Sequence, residues 1–257
     1  MDNDYFDLGG KTALVTGASS GLGWHFANVL ASAGCKVIIA ARRVEKLKAL
    51  GTEISSKGGQ VAVLPFDIQD NNALQQSLET CFEENGVPDI LINNAGIAVA
   101  SRFLDADVAD TDAVWKTNQS GLWHTSQTVC KRLIAAGKPG SIINIASILG
   151  LDVMPGVASY AVSKAAVLQI TKVMALELAR HNIKVNAIAP GYFSTEMNQA
   201  FLDSDAGANL LKRVPMRRAG NPDELNGLLL LLASSRSAYM TGSIIPVDGG
   251  HLVSGLA

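Results

Sequence analysis

Residues 11–34 read KTALVTGASSGLGWHFANVLASAG. The stretch 11–16 is an apolar, β-rich run that Gly17 breaks, and from Leu22 onward Leu22, Phe26, Val29, Leu30 and Ala33 recur at helical spacing. This is a strand, a glycine turn and a helix. The glycines fall at Gly17, Gly21 and Gly23, with Ser19 and Ser20 between them, a G-x3-G-x-G pattern. Small residues there let the backbone approach a pyrophosphate, and the helix beyond presents free N–H groups at the positive end of its dipole. In isolation an ordinary strand-to-helix turn reads the same way, so the rest of the chain decides.

The alternation continues. Apolar strand cores near 12–16, 36–40, 60–65, 89–93, 141–146, 184–189 and 243–247 are separated by helical segments. That pattern predicts an α/β fold: a single-domain, Rossmann-type, doubly wound parallel sheet of about seven strands with helices on both faces, spanning residues 1–257. The Pro/Gly-punctuated stretch at about 191–221 is the long segment between core elements, and is expected to serve as a substrate lid.

After the second strand comes Ala41-Arg42-Arg43. A fold of this kind that prefers NAD places an acid about 20 residues past the glycine turn, on the ribose 2′-hydroxyl. Here two arginines follow instead, and a guanidinium matches a 2′-phosphate bidentately. NADP(H) is therefore expected over NAD(H), although two arginines opening a solvated helix would look alike. Asp67 and Ile68 follow the apolar run 61–66, at a strand's C-terminal end where ligands of open sheets gather. Asp67 suits the adenine amino group, and Ile68 the ring face. Asn93-Asn94-Ala95-Gly96 marks another strand exit, though a loop of this composition needs no function.

Further on, Ser147, Tyr160 and Lys164 are spaced S-x12-Y-x3-K. On a helix, tyrosine and lysine four residues apart share a face one turn apart. The arrangement suits a proton donor of lowered pKa. A free phenol titrates near 10, so acting at pH 7 requires about three units, on the order of 4 kcal/mol. A lysine supplies part of this and a cationic nicotinamide more. Taken alone, the pair is as consistent with a surface helix.

In order, TGASSGLG (16–23), Asp67, NNAG (93–96), Asn118, Ser147, Tyr160-x3-Lys164 and PG (190–191) resemble the short-chain dehydrogenase/reductases, over nearly the whole chain from Leu8 to about Gly250. The resemblance implies hydride transfer between nicotinamide and a ketone, aldehyde or secondary alcohol. It makes Tyr160 the proton donor or acceptor and Lys164 the residue that lowers its pKa and bonds the ribose. Ser147 would orient the substrate oxygen, and Asn118 would hold a water through which protons reach Lys164. It places Gly17, Ser19, Ser20, Gly21, Leu22, Gly23, Arg42, Arg43, Asp67 and Ile68 on the cofactor. Asn94, Ala95, Gly96, Tyr160, Lys164, Pro190, Gly191, Phe193 and Thr195 complete that set. The family more often has an aliphatic residue at Phe193, and many NADP-preferring members carry a basic residue at Ser20. It also implies a homotetramer through the long helices at about 111–136 and 158–181 and through the last helix and strand.

The substrate is expected to touch Ser147, Leu149, Met154, Tyr160, Tyr192 and Met197. This lining is mostly apolar, which points to a carbonyl compound with substantial apolar surface. The chain is also similar to 3-oxoacyl-[acyl-carrier-protein] reductases around APGYFSTEM, the named alternative. Lys131, Arg132, Arg180, Arg217 and Arg218 are basic residues available for a carrier, or are simply solvated helix faces. An NAD-dependent alcohol, polyol or steroid dehydrogenase is a further alternative, and a non-catalytic dinucleotide-binding regulator a distant one.

Composition bounds these readings. With 257 residues, 48% hydrophobic and 17% charged, the chain can bury roughly three quarters of its unfolded surface. A net charge of −2 without a basic stripe argues against nucleic acid. The longest aliphatic run, 228–233, is far short of a membrane span. Cys35, Cys81 and Cys130 read as reduced core thiols, the four histidines show no ligand spacing, so no metal is assigned, and MDNDYFD lacks the apolar core of a signal peptide. A cytoplasmic protein is expected.

Overall fold

The computed structural model describes residues 6–195 and 199–254. Met197, expected at the substrate, lies outside them.

Seven parallel strands form one sheet in the order β3-β2-β1-β4-β5-β6-β7. They are β1 (Thr12–Thr16), β2 (Lys36–Ala41), β3 (Val61–Pro65), β4 (Ile90–Asn93), β5 (Gly140–Ile145), β6 (Ile183–Pro190) and β7 (Ile244–Val247). Each expected strand is found with ends shifted by no more than one residue.

Period-two alternation within these strands builds two cores. Ala13, Val15, Val37, Ile39, Ile90, Ile92, Ile143 and Ile145 pack on one face against α1 (Gly21–Ser32), α2 (Val44–Ser56) and α9 (Asn226–Ala233). Their neighbours Leu14, Ile38, Ala40, Leu91, Ile142 and Val185 pack on the other, against α3 (Asn71–Asn85), α5 (Leu122–Ala135) and α6 (Ala158–Leu178). Near-continuous aliphatic strands such as SIINI are what a sheet covered on both faces requires. Polar residues on these strands are bonded inside the protein: Asn93 Nδ2 donates to Ser126 Oγ (2.8 Å) and Asn144 Oδ1 (2.9 Å), and Asn144 Nδ2 to Thr171 Oγ1 (2.9 Å). Lys184, at the opposite edge from the site, donates to the carbonyls of Leu232 (2.6 Å) and Ser234 (2.7 Å), which close the C-terminal end of α9.

The chain runs outward from β1 to β3, then returns to place β4 on the other side of β1. The loops leaving β1 and β4 therefore diverge, opening a crevice at the C-terminal ends of the central strands. The expected long helix at 111–136 is interrupted: α4 (Val108–Trp115) passes through a wide π-turn, Lys116–Gly121, into α5. The stretch 191–221 carries α7 (Gln199–Leu202) and α8 (Asp205–Leu211).

Candidate active site

The crevice is a cleft of about 630 Å³ lined from the exits of β1 to β6. Its floor is the glycine turn. Gly17 has φ +67°, which an L side chain rarely adopts, and a Cβ there would sit 2.7 Å from Ala95 Cα. Thr16 ties the two loops together: its Oγ1 accepts from the N–H groups of Asn94 and Ala95, both at 3.1 Å. Asn94 Nδ2 donates in turn to the carbonyls of Thr16 (3.1 Å) and Gly17 (3.3 Å). The NNAG loop thus has a structural task beyond supplying a turn. Gly23 lies beneath the turn rather than on the cleft wall, and a Cβ there would meet Gly17 O at 2.3 Å. The other expected cofactor residues all line the cleft.

At the outer end, Arg43 donates from Nε to Ser19 Oγ (3.1 Å) and from its NH2 to Ser20 Oγ (2.5 Å), drawing a guanidinium onto the rim of the glycine turn. Ser20, where a basic residue is common in the family, thus brings in the cation of a neighbouring segment. Arg42 sits 3.7 Å from Asp67, whose other carboxylate oxygen caps the Gln69 amide at 3.0 Å. A glycine floor that admits backbone contact, a helix N-terminus and two guanidiniums fit a dinucleotide bearing an extra phosphate.

At the inner end stand Ser147, Tyr160 and Lys164. Ser147 leaves β5 and caps a short turn, accepting from Leu149 N–H at 3.1 Å, and it lines the cleft together with Tyr160. Lys164 is buried, 5% exposed, with Nζ 2.7 Å from Ile145 O and 5.6 Å from the centre of the Tyr160 ring. The loop after Ser147 presses on α6 here, since a Cβ at Gly150 would lie 2.7 Å from the Lys164 carbonyl. Burial dominates both titrations. It pushes the Tyr160 phenol above its usual 10, partly offset by the Ser147 hydrogen bond, and brings the Lys164 ammonium down to about 8. Shared face and spacing are as expected, but in this structure the phenol is not lowered, because the ammonium is itself desolvated and bonded to Ile145 O.

Asn118 sits in the π-turn with its side chain fully committed. Its Oδ1 accepts from Ile97 N–H (2.9 Å), and its Nδ2 donates to Ile97 O (3.0 Å) and Ser163 Oγ (2.9 Å). Any water it holds must therefore use its main chain, in a turn whose carbonyls leave the regular ladder. Ser163, which sequence reasoning passed over, donates onward to Tyr160 O at 2.6 Å, so one buried hydroxyl links the π-turn to α6. Its only signal was its place beside Lys164. Gly96 separates the two groups: a Cβ there would meet Asn118 Oδ1 at 3.3 Å and Lys164 Nζ at 3.6 Å.

Leu149, Met154 and Tyr192 stand apart from the dinucleotide cleft, around the loop leaving Ser147, where the Tyr192 hydroxyl approaches Met154 Sδ at 3.8 Å. A larger hollow of about 1240 Å³ runs along the outside of α1 and shares Ser19, Ser20 and Gly21 with the cleft. It holds none of the three catalytic candidates, and its Trp24 and His25 bond Glu53 and Asn226. Among the described residues no cluster of His, Cys, Asp or Glu could hold a metal.

Two outcomes follow from this geometry. Arg43→Ala raises KM for NADPH by about 10–100-fold, the worth of a charge-assisted contact, and leaves KM for NADH within about twofold. Equal effects on both cofactors in steady-state kinetics contradict it. Lys164 titrates near 8 in the fold against an ordinary 10.5, so between those values the unfolded chain holds more protons and stability rises with pH. The penalty is complete below pH 8. Lys164→Met therefore stabilises the free protein at pH 7 by about 2 kcal/mol, after loss of the Ile145 bond, while abolishing activity. Denaturation curves should show that gain fading as the pH approaches 10.5, and no gain at pH 7 contradicts it.

Comparison with known proteins agrees with the site. A family model described as enoyl-(acyl carrier protein) reductase matches residues 17–251. The 5-keto-D-gluconate 5-reductase of Escherichia coli (strain K12) is 37% identical over 256 residues, covering 98% of this chain and 99% of that protein. The 3-oxoacyl-[acyl-carrier-protein] reductase FabG of Thermotoga maritima is 37% identical, covering 96% and 99%. The crystal structure of a gluconate 5-dehydrogenase from Burkholderia cenocepacia J2315, in complex with NADP and tartrate, superposes with a TM-score of 0.93 at 36% identity, covering 97% and 98%. The cleft, the Ser147–Tyr160–Lys164 set and these relatives agree: the chain is an oxidoreductase and belongs to the short-chain dehydrogenase/reductase family.

Proposed function

We propose that this enzyme interconverts a ketone and its secondary alcohol, with Tyr160 handling the proton. The observation that carries the reading is the meeting of Ser147 and Tyr160 with the buried Lys164 at the inner end of a dinucleotide cleft. The dinucleotide is NADP(H), in keeping with Arg42 and Arg43 at the outer rim and with NADP in the related crystal structures. It supplies or accepts the hydride. In reduction, Ser147 Oγ and the Tyr160 hydroxyl bind the carbonyl oxygen, and Tyr160 delivers its proton as that oxygen becomes an alkoxide. Lys164 and the Asn118 π-turn return the proton to Tyr160. In oxidation each transfer reverses.

The substrate's carbon skeleton packs on Leu149, Met154 and Tyr192, and residues 191–221 cover it as a lid. Polyhydroxy keto acids are a second reading, favoured by the names of the 5-keto-D-gluconate 5-reductase and gluconate 5-dehydrogenase relatives. A 3-oxoacyl thioester on a carrier is less favoured: Arg132 pairs with Glu79 at 3.3 Å and Arg218 with Glu224 at 2.6 Å, which occupies part of the basic surface such a partner would use. An NAD-dependent dehydrogenase or a catalytically silent regulator is disfavoured by the arginine rim and the intact Asn118, Ser147, Tyr160 and Lys164.

The enzyme works as a homo-oligomer. Trp115, Trp123, Ile134, Val162 and Leu176 are exposed along α4, α5 and α6, apolar surface that a second copy would cover. Cytoplasmic location suits three buried free thiols, two of them pushed up to about 12 by burial. No helix among the described residues is long and apolar enough to cross a membrane.

The test is NADPH oxidation with 2-hexanone, fructose, 5-keto-D-gluconate and a 3-oxoacyl thioester. At least one is turned over, and Tyr160→Phe lowers that rate by about 10²–10⁴ while NADPH binding holds. Undiminished turnover in Tyr160→Phe, or tight binding of NADPH with no turnover of any of the four, contradicts the proposal.

A further inference from the structure

Three segments far apart in sequence meet around Tyr192. The first is the loop leaving Ser147, which brings Met154 Sδ to 3.8 Å from the Tyr192 hydroxyl. The second is the exit of β6. Gly191, which lines the cleft with Tyr160, is pressed so close to the third segment that a Cβ would lie 2.8 Å from Asp248 Cα. That third segment is a C-terminal turn locked by Asp248, whose carboxylate accepts from Gly250 N–H (2.9 Å) and Leu252 N–H (2.8 Å). Gly249 and Gly250 make the turn possible with φ of +63° and +87°. Its product is His251, whose ring stands edge-on to Tyr192, with centroids 5.4 Å apart at 85°.

Two polar groups are left under-used there. A thioether is a weak acceptor, so Met154 only partly satisfies the Tyr192 hydroxyl. His251 Nδ1 is buried and has no hydrogen-bond partner among the described residues. The other such side-chain atom is Asn93 Oδ1, deep in the sheet. An unpaired buried nitrogen is costly, and a fold that rigidly holds one beside a substrate wall has a use for it. The charges around the pair oppose one another: Asp152 and Arg213 both act electrostatically on Tyr192, one negative and one positive. A phenol with one negative and one positive side chain acting on it suits a neutral hydroxyl better than a carboxylate.

We propose that Tyr192 and His251 form a polar subsite that binds a hydroxyl of the substrate away from its reacting carbonyl, making hydroxylated ketones the preferred class. This rests on the ketone-reductase reading above and deepens it. Leu149 and Met154 hold the carbon skeleton, while the Tyr192–His251 pair selects for oxygen on it. Discrimination arises because an alkanone leaves both polar groups unpaired, and a site built to bond a hydroxyl rejects the analogue lacking it.

The experiment uses ketones matched in skeleton: erythrulose against 2-butanone, and fructose against 2-hexanone, each with NADPH. Wild type should favour the hydroxylated member in kcat/KM by about tenfold or more. Tyr192→Phe and His251→Phe keep the ring contact and remove the polar atoms. Each should cost about tenfold on the hydroxylated ketone, chiefly through KM, and leave the alkanone within about twofold. Equal losses on both ketones, no loss, or a wild-type preference for the alkanones overturns the subsite. Binding of NADPH, followed by its fluorescence, without reduction of any of these ketones or of the earlier panel overturns the reductase reading itself, and the subsite with it.

Discussion

An ammonium and a phenol share one turn of α6, and burial disfavours the charged form of each. Lys164 is held near 8 and Tyr160 above its usual range. Both line the cleft, where Lys164 is buried and Tyr160 half-buried. The Ser147 loop lies directly on the Lys164 main chain at Gly150, Gly96 fits between Lys164 and Asn118, and Asn118 is bonded at every side-chain atom. Where a group is this far removed from bulk solvent, a small change in nearby charge shifts a proton much further than it would at a surface. Burial thus favours the protonated phenol in the free protein, the state that the proposed proton donation needs.

Topology supplies the location. The reversal of strand order between β1 and β4 lets the glycine turn and the NNAG loop diverge, and Thr16 and Asn94 hold the two at a fixed separation. From that junction the cleft runs one way to Arg42 and Arg43 and the other way to Ser147 and Tyr160. Cofactor recognition and proton transfer are therefore set by opposite ends of one rigid sheet edge. The residues proposed to meet the substrate, Leu149, Met154, Tyr192 and His251, lie instead on irregular segments after Ser147, after β6 and at the C-terminal turn. Loops on a rigid scaffold vary without disturbing the rest.

How far this was legible in sequence follows the range of the interactions. The strands declared themselves through aliphatic runs that both faces of a covered sheet require, and the glycine turn and Ser147–Tyr160–Lys164 through local spacing. The π-turn around Asn118 did not, because Thr117, Asn118, Ser120 and Gly121 weaken a helix without saying how it widens; the bulge answers to Ile97 and Ser163, distant in sequence. Gly23 reads as a cofactor contact but serves the packing of α1 on the turn. The burial that raises the phenol in the free protein was not legible, because spacing reports which groups are close, not how buried they are. His251 lay in a tail outside the recognised motifs, and only the fold of Asp248 onto Gly191 brings it beside Tyr192.

The account turns on the state of the Tyr160 phenol. Ultraviolet difference titration of tyrosine ionisation, wild type minus Tyr160→Phe, measures it directly in the free protein and with NADP+ added. Burial predicts ionisation above 10 in the free protein, with NADP+ bringing it down through the cation it places nearby. A phenol already ionising near 7 in the free protein would contradict the account, because Lys164 alone would then lower it and burial would not govern the site.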